Sequence, residues 1–476
     1  MGVFRYSLPE GYEFRHNAQG WQICGNLPKR CITISDALAA LLQRLLRGEE
    51  PPFSAATQKS LLYLAAKSYL RLEAVPDSRC DAELPLVSVV IPVKNRTQDL
   101  RQCLASLHQL DWPKDKLEII VVDDGSSDDT PEVALAAGVK LIRNESSAGP
   151  AAARNRGVDS AHGDILAFID SDCLADTTWL RELTPWFSFA VVGALGGLVE
   201  GYYQQSSLDR YELACSSLSI SKHFLYESDD RNSFYVPSCN MLVRRRVFLQ
   251  LGGFNPHMHV GEDVDLCWRL RDLHWALLFV PRGKVWHKHR TTLGAMLKRK
   301  FAYGTSEADL YRRHRDKKKS MPMPSLALLF FLGAAAAILG FWQLLWLVPL
   351  ALLTSACTKY RLCQRIGQPV SAGEACRIAW RSAVAFCYYL CFHLARYYLL
   401  IGGLLACLWP PVALLLLAAL LFSSAVDWHV KRLHLNYPLF FSYYLVEQVF
   451  YQAGALWGGL KQGYFRFYLL KPRFSR

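Results

Sequence analysis

The sequence contains no C-x-x-C pair, and its 14 cysteines show no zinc-ligand spacing. A zinc ribbon or a dithiol redox centre is therefore excluded as an organising feature. Buried free thiols in a reducing compartment are expected instead. The first stretch, MGVFRYSLPEGYEFRHN, lacks an apolar core long enough for a secretory signal peptide. The Met1-Gly2 start also lacks the Ser or Thr that myristoylation prefers downstream. Acids are in deficit: 54 Lys+Arg stand against 41 Asp+Glu, a net charge of +13. The excess is not spread as on a nucleic-acid binder. It gathers beside apolar stretches, as in Arg312, Arg313, Arg315 and Lys317 to Lys319, which suits an anionic membrane face.

What is present centres on GDILAFIDSDC, Gly163 to Cys173. An apolar run, Ile165 to Ile169, reads as a strand buried on both faces. Asp170 and Asp172 follow where that strand leaves the sheet, the place where open α/β sheets bind ligands. Two carboxylates there can converge on one hard cation. Upstream, strands are expected at Leu86–Val93, Leu117–Asp124 and Val139–Asn144, with helices at Thr97–Leu110, Thr130–Ala137 and from Gly149. This alternation implies βαβ units and a parallel sheet whose strand ends share one edge. Pro92, Val93 and Asn95, then Asp123 and Asp124, then Asp170 and Asp172 fall on that edge. A carboxylate can accept from a base N–H or from ribose hydroxyls, and Arg154 can pair with phosphate.

Residues 1–80 form a leading unit. YEFRH, GWQIC and CITIS read as strands, Ser35 caps an amphipathic helix ending at Gly48, and a second helix covers Ala55–Leu72. The second helix has no basic face, so no nucleic-acid partner is expected. The Gly20-Trp21 strand, the Ser35 helix start and the Arg47-Gly48-Glu49 turn resemble PqqD-like, winged-helix-like modules. That resemblance implies recognition of a peptide-derived acceptor by residues 5–80. An accessory packing domain without a ligand is the plain alternative. Val75–Pro85 is a linker.

SVVIPVKNR, VVDDGSSDDT, GPAAARNRG, FIDSD, VPSCNMLVRRRVFLQLGGFN and GEDVDLCWRL occur in that order across residues 86–315. As an ordered set they resemble the family 2 glycosyltransferases, whose catalytic domain is the GT-A nucleotide-sugar-binding fold. With the PqqD-like front and the apolar tail, the chain looks like the glycosyltransferases of mycofactocin systems, which attach glucose to a peptide-derived redox cofactor or its precursor. The resemblance implies a nucleotide-sugar donor and a divalent cation, Mn2+ or Mg2+. Asp124 is the implied nucleoside contact with Asp123 beside it, Asp170 lies near ribose or metal, and Asp172 is the implied metal ligand. His287 completes the metal site in several relatives, with His289 as competitor. The catalytic base falls in Glu262-Asp263, with Asp263 favoured and Glu262 the alternative; either could instead cap the helix that follows. Asn240 and Arg244 are placed on the acceptor side. The implied mechanism is a single inverting displacement. The Gln-x-x-Arg-Trp motif of processive relatives is absent, which argues against threading a long polymer.

Residues 321–476 are strongly apolar. Pro324–Cys357 would reach ~50 Å as one helix, beyond the ~30 Å hydrocarbon thickness. Tyr397–Val426 is similar and is interrupted at Pro410-Pro411. Lys and Arg flank both stretches on both sides, so two helical hairpins are expected, turning near Gly340 and Pro410-Pro411. Re-entrant insertion and a soluble helical core are the alternatives. Ala375–Leu394 and Ser442–Leu460, with Glu447 on its polar side, read as interfacial helices. The expected location is the cell membrane, with membrane lipid as a partner and the catalytic domain facing the cytoplasm.

Overall fold

A computed structural model describes residues 4–17, 20–26, 29–49, 51–75, 81–228, 234–323, 333, 341–365, 370–431 and 434–474. The chain divides into two compact units, Met1–His289 and Arg290–Arg476.

In the first unit, β1 (Phe4–Ser7) precedes β2 (Tyr12–Asn17), β3 (Gly20–Asn26) and β4 (Lys29–Ile34), and the last three form an antiparallel meander. Helices α1 (Asp36–Leu46) and α2 (Ala55–Ala66) each start at a serine whose hydroxyl accepts a backbone amide, Ser35 from Leu38 and Ser54 from Thr57. Such caps satisfy amides that have no partner within the helix. β5 (Arg71–Ala74) returns antiparallel to β1, a ladder too short to leave a periodic signal. Ile23, Leu42, Leu61 and Leu62 are completely buried between sheet and helices. Cys24 faces Cys31 across β3 and β4 with their Cα atoms 4.2 Å apart, and the two form a disulfide. This corrects the free-thiol expectation for that pair. A hairpin register of directly opposed cysteines brings them together, and single-residue spacing does not reveal it.

The catalytic domain opens with β6 (Val87–Val93), buried along its whole length. Then come α3 (Thr97–His108), β7 (Leu117–Asp123), α4 (Thr130–Ala136), β8 (Lys140–Arg143), α5 (Pro150–Asp159) and β9 (Ile165–Phe168). The strands lie side by side in the order β9-β6-β7-β8, all parallel. The second half adds β10 (Cys173–Ala175), α6 (Trp179–Leu183), β11 (Val192–Gly196), β12 (Val199–Gly201), α7 (Ser207–Cys215), β13 (Leu225–Glu227) and β14 (Met241–Arg244). It ends with α8 (Arg245–Gln250), α9 (Glu262–Asp272), β15 (Ala276–Phe279) and β16 (Val285–His287). The sheet has eight strands, β13-β15-β11-β14-β9-β6-β7-β8, with β13 and β14 antiparallel to their neighbours. It is therefore mixed rather than wholly parallel. β14 needs no crossover helix, so the βαβ rhythm did not announce it. A second small sheet, β10-β16-β12, carries the ends of the site.

The second unit holds α10 (Leu293–Arg313), β17 (Lys319–Met323), α11 (Leu347–Arg365), α12 (Ala372–Tyr397), α13 (Leu399–Leu408), α14 (Pro411–Lys431), α15 (Tyr437–Gln462) and β18 (Leu470–Phe474). β17 and β18 pair in parallel. α10, expected to close the catalytic domain, belongs to this unit because it packs backbone to backbone on α15. A Cβ at Gly454 or Gly458 would run into the backbone of Phe301 or Thr305. Glu447 lies buried between Lys300 (3.2 Å) and Arg396 (3.0 Å). The reading of α15 as an interfacial helix with Glu447 on its wet side is thus corrected. Its glycines and this ion pair make it an internal helix. α12 runs without a break through the stretch read as interfacial, and α12 and α14 are long and apolar enough to cross a membrane. α13 and α14 break at Trp409-Pro410 and fold together, with Gly402 against the Leu416 side chain. Gly340 lies outside the described residues.

Candidate active site

The loops after β6, β7 and β9 are stitched together by their own polar groups. Val93 at the end of β6, next to the buried Pro92, accepts the Asp124 amide through its carbonyl at 2.8 Å. Asn95 holds a positive φ of 50°, which Asn tolerates better than most residues. Its amide donates to Ser126 Oγ at 2.8 Å, and its side-chain carbonyl accepts the Ser127 amide at 2.8 Å. The three strand ends expected at one edge therefore meet there.

Asp123 is fully buried, accepting from the Ser126 amide at 3.0 Å and from Arg143 Nε at 3.2 Å. Asp124 accepts from Asn144 Nδ2 (2.7 Å), Ser147 Oγ (2.7 Å) and the amides of Ala148 and Gly149 (both 2.9 Å). Burial works to raise its pKa, but those bonds outweigh it and hold the carboxyl below the usual range. Asp124 is thus occupied in shaping the loop that leads into α5.

Asp172 and His287 come together because β10 and β16 pair with Cys173 opposite His287. His287 Nε2 lies 3.6 Å from Asp172 Oδ1, and donor atoms of Asp172, Cys173 and His287 all fall within 4.8 Å of one another. Burial pushes the Cys173 thiol well up, so the carboxylate and the imidazole are the donors suited to a hard or borderline divalent ion. Among the described residues, the buried His287 Nδ1 has no hydrogen-bond partner. A cation is a fitting occupant beside such an imidazole. His289 instead packs its ring against Gly201. Asp172 also pairs with Arg96, which bridges to Asp99 at 3.5 Å. Arg96 was not singled out from sequence, although it ends the KNR stretch on the same rim.

Asp170 is paired with Arg154. Its Oδ1 accepts from Arg154 Nη2 at 2.6 Å, and Arg154 Nη1 donates to Glu262 Oε1 at 3.0 Å. Arg154 is 2% exposed. It ties Asp170 to Glu262 inside the fold. Helix α9 starts after Gly261, whose φ of 83° lies in the left-handed region. Glu262 is buried against Arg154, whereas Asp263 is half-buried and accepts the Val264 amide at 2.8 Å. Burial, reinforced by the neighbouring Glu262 charge and opposed by Arg154, pushes the Asp263 carboxyl up to about 7.

The two expected acceptor residues are structural. Asn240 is fully buried; it accepts from Trp179 Nε1 and donates to the carbonyls of Leu198 and Gly283, each at 2.9 Å. Arg244 donates to the Val192 carbonyl at 2.7 Å and to those of Phe187 and Phe189. Both side chains pin loops around β11 and β14.

Residues 88–252 match the family described as Glycosyl transferase family 2. A pre-mycofactocin glycosyltransferase of Mycobacterium tuberculosis is 31% identical over 442 residues, covering 89% of this chain and 88% of the relative. The chain belongs to glycosyl transferase family 2. Another family relative, Glycosyltransferase AglE of Haloferax volcanii, is 31% identical over 239 residues, covering 49% of this chain and 76% of its own. Among solved structures, the mannosyltransferase PcManGT of Pyrobaculum calidifontis, in complex with GDP-Man and Mn2+, aligns over 82% of this chain and 98% of its own, at 16% identity and TM-score 0.40. With its mixed eight-stranded sheet, this family 2 glycosyltransferase has a GT-A-like α/β catalytic domain.

Proposed function

We propose that the chain is a metal-dependent, inverting hexosyltransferase. It moves glucose from a uridine-diphosphate sugar onto a mycofactocin-type, peptide-derived acceptor and forms β-linkages. The observation that carries this reading is the division of labour among the acids on one rim. Asp172 stands beside His287, Asp170 and Glu262 are bound to Arg154, and Asp263 is half-buried with its proton affinity raised.

Asp172 and His287 would hold the divalent cation, Mn2+ or Mg2+, which neutralises charge on the departing diphosphate. The ends of β6 and β7, with Pro92, Val93, Asn95 and Asp123, seat the nucleoside, and Asp124 keeps that seat in shape through Asn144 and Ser147. Asp263 takes the proton from the acceptor hydroxyl as that hydroxyl attacks the anomeric carbon. A carboxylate with a pKa near neutrality is matched to this task. No covalent intermediate on the enzyme is required.

The mycofactocin-type acceptor is supported by the pre-mycofactocin glycosyltransferase relative. A cleft of about 560 Å³ offers a place for a peptide segment: β4, Tyr63 and Lys67 of the leading module form one side, and β13 with Phe234 the other. β4 is the outer strand of its sheet, so an extended peptide could pair along it. This supports residues 5–80 as a PqqD-like recognition module. α12 and α14 support placement at the cell membrane with the catalytic domain on the cytoplasmic side, where nucleotide sugars are made. The same helices favour a second reading in which the acceptor is a polyprenyl phosphate.

The test is incubation of the purified full chain with Mn2+, a panel of nucleotide sugars, and either peptide-derived or polyprenyl phosphate acceptors, followed by mass spectrometry. A hexose added to the peptide-derived acceptor supports the reading. Transfer to the lipid alone replaces the acceptor assignment with the second reading.

A further inference from the structure

Arg154 sits in α5, yet its two partners come from distant parts of the chain. Asp170 ends β9, 16 residues downstream, and Glu262 opens α9, 108 residues downstream. The guanidinium is 3% exposed, lies 5.5 Å from the centre of the Phe254 ring, and spends one nitrogen on each carboxylate. One buried cation therefore spans the donor-side loop and the first turn of the base helix. Without it, Asp170 and Glu262 would face each other with no cation between them, a costly arrangement at such burial.

We propose that Arg154 is a positioning residue that fixes the Asp170–Asp172 loop to the Glu262-Asp263 turn, so that the donor and the base are presented in one rigid frame. The proposal rests on the reading of Asp263 as base. It gives Arg154 work that a phosphate clamp could not do. It also explains why Glu262, bound to a buried guanidinium, leaves proton transfer to its neighbour. The charged and titratable groups around Asp263 are Glu262, Arg154 and the thiols of Cys239 and Cys267, with the Val264 and Ser238 amides donating to it. Glu262 holds the Asp263 carboxyl up and Arg154 holds it down, so removing either one moves the base in a known direction.

The experiment compares kcat/KM against pH for sugar transfer by the full chain carrying Arg154→Gln, Arg154→Lys or Glu262→Gln, with thermal melting of each as a check on folding. Arg154→Gln is expected to move the acid limb to higher pH and to lower the plateau at least tenfold, and Arg154→Lys to restore the limb. Glu262→Gln, nearly isosteric, weakens one arm of the tie and is expected to move the limb to lower pH and to lower the plateau less than Arg154→Gln does. If Arg154→Gln does not fold, Glu262→Gln decides alone. An acid limb that coincides with wild type in every folded variant overturns the positioning role and leaves the base reading standing. An acid limb that survives in Asp263→Asn removes the base reading, and this inference with it.

Discussion

Asp263 and Glu262 are adjacent carboxylates, and their environments divide the work between them. Glu262 is committed to Arg154, and Asp263 keeps a path to solvent. Asp263→Asn should therefore lower kcat by roughly 10²- to 10⁴-fold, the range general bases contribute, while leaving nucleotide binding intact. Isothermal titration with UDP alongside initial rates would check both. The sign of the pH dependence follows from the raised carboxyl: the base is active once ionised, so wild-type kcat/KM should fall as pH drops through about 7. A second residue-scale expectation concerns Asp124. Asp124→Ala strips the Ala148 and Gly149 amides of their acceptor, so it should cost ~2 kcal/mol or more and lower the melting temperature. The acidic motifs were readable in the sequence, but the state of each acid was not. Asp124 is saturated by residues 20 to 25 positions away and Asp170 is claimed by Arg154. Hydrogen-bond partners of that kind are a product of folding, and no motif records them.

At the scale of elements, periodicity located the βαβ half closely, because β6 and β9 are short, fully buried runs bounded by turns. β10, β12 and β16 are three residues each, below the length at which alternation can be seen. The strand that delivers His287 to Asp172 was therefore invisible, although His287 itself was singled out. In the apolar part, charge counting made α15 look amphipathic. Its Glu447 is instead paired inside, and Gly454 and Gly458 meet α10. Gly458→Leu should force α10 and α15 apart and lower the melting temperature of the detergent-purified chain, by the ~1–3 kcal/mol typical of overpacking. The cleft beside β4 gives another element-scale expectation. Ser60→Trp, which fills it, should raise the KM for a peptide-derived acceptor several-fold and leave donor hydrolysis unchanged.

The whole molecule joins a leading module of short strands and two helices, a family 2 catalytic domain and helices able to cross a membrane in one chain. The ordered motifs made the catalytic domain legible, since they fall at the ends of β6, β7 and β9, which the sheet brings to one edge. Acceptor and orientation were less legible, because they depend on what fills the cleft and surrounds the helices. The measurement that bears most directly on the central claim is product analysis of the full chain and its Asp263→Asn variant, each incubated with UDP-glucose, Mn2+ and the peptide-derived acceptor. The account predicts acceptor heavier by one or more hexoses with the wild type, and unmodified acceptor with a variant that still binds UDP. The same glycosylated product at the same rate from both proteins would contradict it.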